Sequence, residues 1–70
     1  MFVVGKTYKS QRADVPDLKV SNIIYCGNYR MINAKNLERP YVATIENGNE
    51  VIRSLFGILF DSMVDNAKNS

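Results

Sequence analysis

Few residues of this chain are of a type that does chemistry. Among its 70 residues there is no histidine and a single cysteine, Cys26. That excludes the Ser–His and Cys–His arrangements in which an imidazole takes the nucleophile's proton, any disulfide within the chain, and any Cys/His zinc set. Cys26 lacks a base to hold it as a thiolate, and just ahead of a turn it reads as a small, half-buried apolar group. Gly5-Lys6-Thr7 repeats the end of a phosphate-binding loop, where backbone N–H groups and a lysine cradle phosphate. The motif's earlier glycine is missing and no strand-then-helix pattern surrounds the three residues, so they read as strand. The seven acids, Asp14, Asp17, Glu38, Glu46, Glu50, Asp61 and Asp65, fall mostly in expected loops and turns. None is paired as a glycosidase or a metal site requires, and all read as solvated surface. The expectation is a protein that is not an enzyme and uses no cofactor or metal.

Binding is the chemistry left. Tyr8, Tyr25, Tyr29 and Tyr41 are interleaved with Lys6, Lys9, Arg30 and Arg39, and aromatic rings beside cations on a sheet are how small β-barrels stack single-stranded bases. The same rings are also good core fillers and protein-interface anchors. Net charge is +2, but residues 1–40 hold seven Lys/Arg against three Asp/Glu, whereas residues 41–70 hold two against four. A polarised, mildly basic face follows, with Lys6, Tyr8, Lys9, Arg12, Lys19, Arg30, Lys35 and Arg39 as its candidates for nucleic acid. Its charge is spread out and weak beside dedicated DNA-binding modules. From Leu55 to Val64, seven of ten residues are apolar. A small barrel buries one face of such a segment and leaves the surplus for a partner. Tyr29, Tyr41, Leu55, Phe56, Ile58, Phe60 and Met63 are therefore the candidates for contact with a protein, and the carboxyl-terminal third is a candidate for self-association as a homodimer.

The elements that must position these groups are short strands. A length of 70 residues allows one domain, and 46% hydrophobic with 23% charged residues is ordinary globular usage. No apolar run approaches the ~20 residues of a membrane-spanning helix, and the amino end lacks a signal-peptide pattern, so a soluble, cytoplasmic protein is expected. Phe2 to Ser10 alternates as a first strand with Phe2, Val4, Lys6 and Tyr8 on one side, and Gln11 to Asp17 is a loop around Pro16. Leu18–Cys26 and Tyr29–Asn33 form a hairpin across Gly27-Asn28, with Cys26 opposite Tyr29, Ile24 opposite Met31 and Tyr25 opposite Arg30. Tyr41–Glu46 and a strand from Asn49 form a second hairpin across Asn47-Gly48; two-residue pairing there sets Thr44 opposite Val51 and Ala43 opposite Ile52, whereas a bulged three-residue loop shifts every pair. From Glu50 to Lys68 the apolar residues also recur at helical spacing, so an amphipathic helix competes, but the Asn-Gly turn needs a strand partner. The second hairpin's last strand is expected to run to Phe56, with a turn at Gly57, a short strand over residues 58–60, and a helical turn or frayed tail from Asp61. The fold class is all-β: a small antiparallel meander of four to five strands, closed as an SH3-like barrel over residues 1–65, with a flexible tail over 66–70.

Phe2-x-Val4-Gly5-Lys6-x-Tyr8, then Arg39-Pro40-Tyr41-Val42, Asn47-Gly48, and Val51-x-Arg53-Ser54 before Gly57 resemble a loose class of very small bacteriophage and prophage proteins with SH3-like barrels. The resemblance implies a non-catalytic accessory protein, working in the host cytoplasm, that modulates or inhibits a host protein by direct contact. It departs from the pattern at Gln11 to Asp17 and after Gly57, where Ile58 to Val64 is more apolar.

Overall fold

The computed structural model describes residues 1–64 and the backbone of Asn66–Lys68. Six strands follow one another as an antiparallel meander: β1 Thr7–Tyr8, β2 Leu18–Cys26, β3 Tyr29–Ala34, β4 Tyr41–Glu46, β5 Asn49–Ser54 and β6 Gly57–Asp61. A three-residue β7, Asn66–Lys68, pairs with β1, so the sheet order is β6-β5-β4-β3-β2-β1-β7. β6 and β7 are neighbours in the chain but lie at opposite edges of the sheet, which therefore curls almost into a closed barrel. The gap is bridged after β1, where the Gln11 N–H donates to the Leu59 carbonyl at 2.8 Å and the Ser10 hydroxyl donates to the same oxygen at 3.2 Å.

The first middle hairpin has the expected register, and the second takes the two-residue pairing, not the bulged one. Cys26 faces Tyr29, Ile24 faces Met31, Thr44 faces Val51 and Ala43 faces Ile52. The cause lies in the turns. Asn47 and Gly48 both have positive φ, as a type I′ turn requires, whereas at the first reversal only Gly27 does, as in type II′. A bulge near Ser21 changes the phase of β2, so that Leu18 and Val20 and then Ile23 turn inward. The core holds Phe2, Tyr8, Leu18, Val20, Ile32, Ala34, Ala43, Ile52, Leu59 and Phe60. Leu59 and Phe60 are adjacent yet both buried, because the β5–β6 register shifts between Ile52 and Arg53.

Several expectations are corrected. The barrel has six meander strands, not four or five, and no helix follows Asp61 among the described residues; a single turn at Ser62 and Met63 is closed by the Val64 N–H to the Asp61 carbonyl at 3.3 Å. The first strand is confined to Thr7–Tyr8. Its alternation fails because the chain turns at Gly5, whose φ is +90°, and the Lys6 N–H returns to the Val3 carbonyl. Phe2 is consequently buried while Val4 is exposed. The last reversal comes earlier than expected: Leu55 and Phe56 form the turn and Gly57 opens β6. The tail expected over 66–70 lies outside the described residues apart from the β7 backbone.

Candidate functional site

An antiparallel meander sorts its connections between two ends. One end carries the Gly27-Asn28 and Asn47-Gly48 turns and the amino terminus. The other carries the β1–β2 loop, the β3–β4 loop and the Leu55-Phe56 turn.

At the first end the chain entry is clamped by side chains instead of a strand ladder. The Phe2 N–H donates to Glu50 Oε1 at 2.8 Å, and the Phe2 carbonyl accepts from Arg30 Nη2 at 2.8 Å. Arg30 grips Glu50 with two nitrogens, Nε to Oε2 at 2.8 Å and Nη2 to Oε1. Both side chains point into the barrel, since Arg30 faces Ala43 and Glu50 is buried. Burial pushes the Glu50 carboxyl up, but the hydrogen bonds from Arg30 and the Phe2 N–H outweigh it and hold the group below the ordinary carboxylate value. The Arg30 guanidinium is raised in turn, chiefly by its bond to Glu50. Glu50 is thus no solvated acid. The local pattern of a hairpin strand contains no signal for this, because the partner is twenty residues away.

Of the candidates for nucleic acid, Tyr8 is buried out of reach, and Arg30 is half-buried and bonded to Glu50 and Phe2. The Tyr8 ring is inside the barrel, edge-on to Phe2 at 4.8 Å, and its hydroxyl accepts from the Val3 N–H at 2.9 Å. Arg12 is held by Asp14 through two hydrogen bonds at 3.2 and 3.0 Å. Lys9, Lys19, Lys35 and Arg39 are exposed and Lys6 is half-buried. Lys19 and Lys35 line a cleft of about 500 Å³ together with Asp17, Val4, Gly5 and Val20, and no aromatic ring lines it. The N–H groups of Gly5 and Lys6 are taken by the Val20 and Val3 carbonyls, so Gly5-Lys6-Thr7 offers phosphate no cradle.

The protein-contact candidates divide between the two ends. Phe60 is buried in the core, with Tyr41 packed on it at 6.2 Å, and Ile58 is half-buried. Tyr29 and Met63 are exposed towards the first end. At the second end Leu55 is 97% and Phe56 84% exposed, at the tip of a hairpin. The tip is braced. The Phe56 N–H donates to Ser54 Oγ at 3.2 Å, and the Arg12 guanidinium lies over the Phe56 ring at 5.6 Å. Ser10 links the two, since its Oγ accepts from the Arg12 N–H at 3.0 Å and donates to Leu59 on β6. Two large apolar side chains are therefore held out to solvent, with Phe56 braced by Ser54 and the Arg12 guanidinium.

Cys26 is half-buried and free, and no cluster of three metal-ligating side chains occurs among the described residues. Compared with family models, curated proteins and solved structures, the chain has no significant match.

Proposed function

We propose that this protein is a non-catalytic binding module whose β5–β6 hairpin tip inserts Leu55 and Phe56 into an apolar pocket on a partner protein. The observation that carries this reading is their near-complete exposure on a braced turn. Large apolar side chains held this far into water destabilise nothing when removed but supply most of the energy when a pocket covers them. Because Ser54 and Arg12 already hold the tip, docking costs less ordering entropy than it would for a loose loop. The scaffold is read as SH3-like. The target as a host component, the action as modulation in the host cytoplasm, and a phage origin rest on the resemblance of the short motifs alone.

The experiment is affinity capture from a host lysate with the wild type and with the Leu55→Ser/Phe56→Ser variant, at low and high salt. The reading predicts a protein captured by the wild type at both salt concentrations and lost with the variant, whose own unfolding midpoint stays unchanged. Capture that survives the double substitution sinks it. The nucleic-acid alternative predicts instead oligonucleotide binding that falls steeply with salt and weakens when Lys19 and Lys35 are reversed in charge. The two lysines lining one cleft favour that reading, and Asp17 in the same cleft and the absence of a stacking ring there weigh against it.

A further inference from the structure

β2 is nine residues long, and only part of it is paired on both sides. Towards β3 its ladder runs from Val20 to Cys26. On the other side β1 takes Leu18 and Lys19, and Gly5 and Lys6 bond the Val20 carbonyl and N–H at 2.9 and 3.0 Å. From Asn22 to Cys26, no backbone hydrogen bond reaches that outer edge among the described residues.

The Gly27-Asn28 turn decides which groups are left over. In a two-residue hairpin the closing pair, Cys26 and Tyr29, exchanges hydrogen bonds, and so does every second pair below it. Asn22, Ile24 and Cys26 therefore spend their backbone groups on β3, and Ile23 and Tyr25 aim theirs at the open edge. Natural edges are guarded by lysine, proline, a bulge or a covering segment. Beyond the bulge at Ser21, Asn22 to Cys26 contains no charge and no proline, and Asn22, Ile24 and Tyr25 are exposed. The free side of β6 is different, because Ser10 and Gln11 already approach it at Leu59.

We propose that the β2 edge binds a second copy of this chain, by antiparallel pairing of β2 with β2 about a two-fold axis through Ile24. A two-fold axis perpendicular to the sheet makes one residue face its own copy. With the axis at Ile24, Ile23 of each chain faces Tyr25 of the other, and every free backbone group of these residues finds a partner. The occupant is a second copy because the segment is neutral throughout, so self-pairing brings no like charges together. Ile24 against its copy also extends an outer apolar row that already runs from Ile24 through Met31 to the exposed Val42. This surface is separate from the Leu55-Phe56 tip, so either can fail without the other.

The test is sedimentation equilibrium of the full chain up to millimolar concentration, for the wild type, Ile24→Lys, and Ile24→Cys in a Cys26→Ser background. The wild type is expected to reach twice the monomer mass. Ile24→Lys, which sets like charges face to face, is expected to weaken association more than about tenfold while its thermal unfolding stays unchanged. Ile24→Cys is expected to cross-link on mild oxidation, because facing non-hydrogen-bonded positions bring Cα atoms to about 4.5 Å, within disulfide reach. A wild type that stays monomeric over the whole range overturns the proposal, even if the edge accepts an unrelated extended peptide. So does a dimer that Ile24→Lys leaves as tight as before, or one lost in Leu55→Ser/Phe56→Ser instead. Should Ile24→Lys fail to fold, the cysteine variant decides, and absence of the cross-link counts against the proposal.

Discussion

Each end of the barrel carries an arginine bound to a carboxylate, in very different surroundings. The Arg30 and Glu50 side chains are 14% and 2% exposed, whereas Arg12 and Asp14 are 43% and 68% exposed. Inside the barrel the pair answers to backbone groups as well as to each other, since it satisfies both the N–H and the carbonyl of Phe2. Once such a pair is out of water, removal of one member strands a charge that nothing else can solvate. At the other end water competes for both partners, and the pair contributes little to stability. What Arg12 does there is hold a place beside the Phe56 ring. The same chemical pair anchors the chain entry at one end and braces a contact surface at the other, and the difference comes from burial alone.

The comparison breaks first at Glu50. Glu50→Ala is expected to cost about 3–5 kcal/mol in urea unfolding, enough to leave a domain of this size largely unfolded, because it leaves Arg30 buried without a counter-charge and the Phe2 N–H without an acceptor. Replacing both members by apolar residues, Arg30→Met with Glu50→Leu, is expected to recover most of that loss. A double variant as unstable as the single one would show that the clamp on Phe2, and not the stranded charge, carries the cost.

Acid probes the same end. The Glu50 carboxyl sits below its ordinary value of 4.5 in the folded protein. Its contribution is fully present above that value and is lost as pH falls through the depressed folded-state value. The unfolding midpoint should therefore drop in that acidic window for the wild type, and drop less for Glu50→Gln, which starts from a lower midpoint at neutral pH. Tyr8→Phe is next in size: loss of the acceptor for the Val3 N–H should cost about 1 kcal/mol by denaturant titration, with packing against Phe2 retained. At the other end the effects on stability are small. Asp14→Ala and Leu55→Ser/Phe56→Ser are each expected to change stability by less than about 0.5 kcal/mol, while the second abolishes partner capture. A large stability loss at the tip would mean that these side chains belong to the core after all.

The two ends also differ in how far they can be read from the chain. Asn47-Gly48 and Gly27-Asn28 are local signals with a local cause, positive φ at named positions, and the registers they set are those observed. Leu55 and Phe56 were readable as apolar surplus. Their place at a tip was not, because Gly57 can serve equally as a turn residue or as the first residue of a strand, and the choice falls to the β5–β6 register and the shift at Leu59.

Residues near one another in the chain decided the two middle hairpins with their tight turns, and composition decided the lack of histidine-based chemistry, because turn geometry and side-chain type need no distant partner. Closure of the sheet decided the rest. It brought Glu50 and Arg30 to Phe2 across separations of forty-eight and twenty-eight positions, turned Tyr8 inward, and left Leu55, Phe56 and the β2 edge facing water. Burial and long-range contact belong to the assembled barrel, and neither has a counterpart in a window of neighbouring residues.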